Sequence, residues 1–118
     1  FPLFVRKGRG EVLKQKVKIQ ESQLSRDLKA QEIRNKVAAL ENELSLNAAQ
    51  LTEIRAMVNN YRRLLRAENT KFRNGESSLF LVNSRELKYI DSRLKEIATE
   101  SKLNQVQAKL AAAAGVLN

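Results

Sequence analysis

Ser77 and Ser78 stand side by side, and Glu96 and Glu100 lie four residues apart; in this chain they come nearest to residues that could do chemistry. A serine nucleophile needs a base within reach, but the chain has no His and no Lys at a recognisable spacing from either serine. The other use of such serines is local, since a hydroxyl at the mouth of a helix accepts a bond from a free backbone N–H. Glu96 and Glu100 share a helix face as a general acid–base pair would, yet on so charged a helix they read as solvated. There is also no Cys, which removes disulfides, thiolates and most zinc sites. Neither a glycine-rich phosphate loop nor a metal-ligand cluster appears. The sequence therefore reads as a non-enzyme with no cofactor and no metal.

The elements that hold these residues are helices. Ala, Leu, Lys, Glu, Gln, Arg, Asn and Ser dominate, Trp is absent, and only four Gly and one Pro interrupt 118 residues. Such a composition suits long helices packed along seams better than a thick core. Five spans are expected. Residues 1–10, "FPLFVRKGRG", read as an extended entry and a basic turn. Residues 11–73 read as one long helix, 74–77 as a turn, 78–114 as a returning helix and 115–118 as an exit after Gly115.

The first helix carries a heptad pattern. Val37, Leu44, Leu51, Val58, Leu65 and Phe72 recur every seven residues, joined by Leu40, Ile54 and Tyr61, with Asn47 and Glu68 as polar interruptions. Above Leu28–Ile33 the pattern breaks, and Leu13, Val17, Leu24 and Leu28 keep a separate spacing. A helix whose apolar face shifts in this way is expected to change neighbours there. The returning helix carries two stripes. Phe80, Leu87, Leu94 and Ser101, with Ile90 and Ile97, form the first; Val82, Tyr89, Leu103, Leu110 and Leu117 form the second, interrupted by Glu96. We expect the hairpin seam to join Val37, Leu40, Leu44, Leu51, Ile54, Val58, Tyr61 and Leu65 to Leu87, Ile90, Leu94 and Ile97, with Phe80 inside it. One stripe suffices for a hairpin, so two imply contacts on both sides. Folding the chain at Gly75 sets Asn118 beside about residue 32 and leaves roughly 30–40 Å of the first helix overhanging. Pairs such as Glu32–Lys36 and Asp91–Lys95 are spaced for surface ion pairing.

Charge is the other broad signal. The formal net charge of +9 arises from 22 basic and 13 acidic residues, and basic clusters lie before Lys36 and again at Arg62, Arg63, Arg66, Lys71 and Arg73. This balance suits an acidic partner or nucleic acid as well as a solvated face. No signal-peptide order and no membrane-spanning apolar run is present.

The turn brings a family into view. "KFRNGESSLFLVNSREL", residues 71–87, resembles the tip signature of TolC-like outer-membrane efflux channels: an aromatic, two residues, Gly, a polar pair and an apolar run. "FPLF" with its basic turn resembles the stretch leaving the membrane barrel, and "LAAAAGVL" resembles the close of the returning helix. Together these anchors cover nearly the whole chain. The resemblance implies an all-α, long antiparallel coiled-coil hairpin, an excerpt of a trimeric α-barrel/β-barrel channel in the bacterial outer membrane. This segment would lie in the periplasm. It also implies a homotrimer, a periplasmic adaptor and an inner-membrane pump as partners, no nucleic acid, and export of drugs, metals or other solutes. The docking tip would comprise Phe72, Asn74, Gly75, Glu76, Ser77, Ser78, Leu79 and Phe80. Departures are specific. Phe72 stands where Tyr is common, Leu81 and Ser84 where some members carry acidic residues, and Ser77 where some carry a gating Arg, so a gate of salt bridges is not implied. The rival readings are a basic coiled-coil arm that binds nucleic acid, and the hairpin of a periplasmic adaptor.

Overall fold

A computed structural model of the chain describes the backbone of residues 2–117 and side-chain environments for residues 7–116. Two helices make up the fold, α1 (Pro2–Arg73) and α2 (Leu79–Leu117), laid antiparallel as a hairpin. The molecule measures 110 × 19 × 15 Å with a radius of gyration of 29.9 Å. A globular domain of about 100 residues has a radius of roughly 13 Å, so this is a rod with no interior beyond a seam.

The helices run further than the spans expected. Residues 2–10 are helical, not an extended entry and turn, and α2 continues through Gly115 to Leu117. Proline at the first helical position lacks only an N–H that would have no partner there. Gly8, Gly10 and Gly115 weaken a helix without forcing a turn, and no heavy atom lies near enough to crowd a Cβ at any of them. Phe1 and Asn118, included in the expected entry and exit, lie outside the described residues.

The turn between the helices is a Schellman close. Gly75 takes φ +75°, its N–H bonds the Phe72 carbonyl at 3.1 Å, and the Glu76 N–H bonds the Lys71 carbonyl at 2.8 Å. Ser78 then caps α2, its Oγ accepting from the Leu81 N–H at 3.3 Å. The carbonyls of one helix end and an amide of the next are thereby satisfied within a few residues, which fixes the rotational phase at which α2 sets out.

Burial on α1 follows the expected heptads and extends them upward. Leu40, Leu51 and Val58 are buried, Val37, Leu44, Ile54, Tyr61 and Leu65 half-buried, and Ala30 and Ile33 continue the same phase. The expected break at Leu28–Ile33 is therefore not a rotation of the buried face. It marks where α2 runs out. Above it Val12 and Ile19 hold the seven-residue phase of Ile33 and Leu40, exposed because nothing lies opposite. Since α1 has 72 residues and α2 has 39, the overhang is about 50 Å at ~1.5 Å per residue, longer than expected because α1 begins at Pro2.

The two kinds of glycine give a paired prediction. Gly75→Ala places a Cβ in the left-handed region and destabilises the hairpin by about 1–2 kcal/mol. Gly8→Ala stabilises its turn of helix by about 0.5–1 kcal/mol. Circular dichroism melting shows a lower midpoint for the first variant and slightly higher helicity for the second; equal effects would contradict the assignment.

Candidate functional site: an apolar tip and an uncovered helix face

The α2 side of the seam differs from expectation. Facing α1 are Val82, Arg85, Tyr89, Ser92, Glu96, Thr99, Leu103, Val106, Leu110 and Ala113, a continuous 3–4 spacing in which every member is buried or half-buried. Leu87, Ile90, Leu94 and Ile97 are not in the seam: they are 62%, 45%, 60% and 54% exposed. Phe80, expected inside it, is 80% exposed. Apolarity ranked the stripes, whereas the phase set by the turn decides which one meets α1. Val106, among the most buried side chains, was missed because it lies between Leu103 and Leu110 at the alternate heptad position.

Polar groups in the seam hold one another. Arg55 bonds Glu100 at 3.0 Å and lies 3.6 Å from Glu96, which also takes Arg93. Glu96 is therefore a buried bridge between the helices, not the solvated residue that its surroundings in sequence suggested. Arg62 lies over the Tyr89 ring at 5.7 Å and donates to its hydroxyl at 3.4 Å. Ser92 donates to the Tyr89 carbonyl at 2.7 Å. Asn47 is buried with its Nδ2 unpaired, a polar seam position that lowers stability. The ion pairs expected at Glu32–Lys36 and Asp91–Lys95 are not formed among the described residues, whose salt bridges all involve Arg55 or Arg93.

At the far end the turn gathers Phe72, Asn74, Gly75, Glu76, Ser77, Ser78, Leu79 and Phe80 into one tip. The two serines have separate work. Ser78 caps α2, while Ser77 donates to the buried Glu68 carboxylate at 2.9 Å and ties the turn back to α1. Four apolar residues follow, and successive side chains project about 100° apart. Only Val82 can point into the seam, so Leu79, Phe80 and Leu81 stay in solvent, with Phe72 beside them at 43% exposure. The tip is an apolar knob on a braced turn.

The second uncovered surface is the stripe from Phe80 through Leu87, Ile90, Leu94 and Ile97, continued by the small and polar residues Ser101, Asn104 and Ala108. It runs along roughly the opposite side of α2 from the seam. The third is the overhang, where Leu13, Val17, Leu24 and Leu28 stand exposed between charged neighbours. Among the described residues no acidic cluster could hold a metal ion, and no helix is long and apolar enough to cross a membrane. Comparison with protein families, curated proteins and solved structures finds no match for this chain.

The two faces of α2 predict opposite outcomes for the same kind of change. In the dilute chain, Leu51→Ala empties part of the seam and destabilises by about 2 kcal/mol or more, whereas Leu94→Ala changes stability by no more than about 0.5 kcal/mol. Urea unfolding checks this, and a large loss for Leu94→Ala would return that residue to the seam. Glu96→Leu removes a desolvated carboxylate but strands no buried cation, because Arg55 and Arg93 are well exposed and Arg55 keeps Glu100. Stability by the same measurement therefore changes by no more than about 1 kcal/mol, and a larger loss would contradict this.

Proposed function

We propose that the chain is a periplasmic tunnel-wall hairpin of an outer-membrane efflux channel of the TolC-like kind, in a parent that assembles as a homotrimer. Its tip docks a periplasmic adaptor linked to an inner-membrane pump, and drugs, metals or other solutes leave through the tunnel. One observation carries the reading: over Phe80 to Ile97, α2 presents an apolar stripe on the side its own hairpin does not use. A free-standing coiled-coil arm needs one seam. A wall built from side-by-side hairpins needs two, because each returning helix lies between its own partner and a neighbour. The apolar tip supports the same reading, since Leu79, Phe80 and Leu81 gain by burial only against another protein.

The exposure of Phe80 next to basic residues favours one alternative, an arm that binds nucleic acid. Single-stranded nucleic acid is held by a succession of stacking aromatics along a basic groove, and among the described residues the exposed aromatics are Phe72 and Phe80 alone, at one end. Filter binding at moderate salt separates the two: the channel reading expects no tight, steeply salt-dependent retention of RNA or DNA.

In the parent protein, Gly75→Asp abolishes export while trimers remain in the membrane, because a side chain in the left-handed position disturbs the turn that presents the knob. Unchanged export would count against docking at this tip. The chain by itself self-associates, and Leu87→Lys with Leu94→Lys shifts sedimentation toward monomer. A wild-type chain that stays monomeric at high concentration would remove the side-by-side packing.

A further inference from the structure

Cations that form no ion pair among the described residues cluster toward the tip knob. Arg63, Arg66, Lys71, Arg73 and Lys88 are exposed and lie within a few turns of Phe80, and none makes an ion pair among the described residues. Over residues 62–88 the exposed carboxylates are Glu76 and Glu86 alone, because Glu68 is buried against Ser77. Lys71 and Arg73 have a partial local reason for being there, since the carbonyl end of a helix favours positive charge. Arg63, Arg66 and Lys88 have none. An apolar centre with a charged margin is the layout of a protein docking patch, in which the desolvated middle supplies affinity and the rim supplies orientation and partner choice.

From this charge pattern we propose that the tip recognises a partner protein whose receiving surface is an apolar cup with an acidic rim: Phe80 and its neighbours fill the cup, and Lys71, Arg73 and Arg66 meet Asp or Glu around it. The proposal rests on the docking reading above and adds the chemistry of the partner. Like charges across such a rim would oppose docking, so the collar also rejects partners with basic tips.

A photo-reactive benzoylphenylalanine at Phe80 of the full-length parent, irradiated in intact cells, tests it. The cross-linked segment is sequenced and the yield compared with Lys71→Glu/Arg73→Glu and Lys71→Gln/Arg73→Gln versions, each normalised to the trimer present in the membrane. The expected adduct is a protein segment with an apolar contact residue flanked by Asp or Glu. Its yield should fall about tenfold in the Glu version, as juxtaposed like charges require, with a smaller fall in the Gln version. The Gln version carries the comparison if the Glu version fails to assemble. A protein adduct without acidic residues, or a yield indifferent to both substitutions, overturns the acidic-rim proposal and leaves docking intact. Absence of any adduct, or an adduct to nucleic acid, overturns docking and this proposal together.

Discussion

A helix with apolar stripes on nearly opposite sides must meet protein on both, or leave one in water at a penalty of about 25 cal/mol per Å². α2 is such a helix, and the rest of the molecule follows from how its two sides are divided. The side facing α1 is the less apolar one: it buries Val82 and Val106 but also Ser92 and Glu96. The richer stripe of Leu87, Ile90, Leu94 and Ile97 lies outside. A hairpin designed to stand alone would place its best hydrophobic side chains in its only seam. This one closes a modest seam with Arg55, Glu96 and Arg93 and holds the better one in reserve.

That division depends on the turn. With Gly75 in the left-handed region, Ser78 capping α2 and Ser77 tied to Glu68, α2 leaves the tip at one rotational phase. Val82 enters the seam as a result, and the heptads behind it follow. The same geometry turns Phe80 outward, so the tip lies in line with the uncovered stripe that resumes at Leu87 beyond Asn83 and Ser84. Asn47, buried with an unpaired amide, is a cost that the seam carries, so the register is set by the turn and not by this residue. Exposed surface pairs add little to such specificity.

Much of this was legible in the residues. The α1 heptads from Val37 to Leu65 mark the true seam, because a seven-residue repeat allows only one buried face. Gly75 and the serines mark the turn. What could not be read was which α2 stripe α1 takes: hydrophobicity argues for Leu87 and Leu94, and the choice belongs to a backbone phase that composition does not encode. Glu96 looked solvated because its partner Arg55 is 41 residues away on another helix. At the upper end, Gly8 and Gly10 suggested a turn, but glycine only permits one, and no competing contact among the described residues bends α1 there. Val12 and Ile19 escaped notice because Arg26 breaks the repeat that links them to Ile33.

The exposed apolar tip is the least legible part from sequence pattern alone, since four consecutive apolar residues suit any buried element. Only their exposure on a braced turn gives them meaning as a contact surface. The central claim, that neighbouring hairpins cover the outer stripe, is tested most directly by thiol labelling of single cysteines in the intact parent protein. On the proposed assembly, a cysteine in place of Leu94 is protected in the intact parent and reacts freely in the dissociated chain, while one in place of the exposed Lys102 reacts in both. Labelling at position 94 as rapid as at position 102 in the intact assembly would contradict the account.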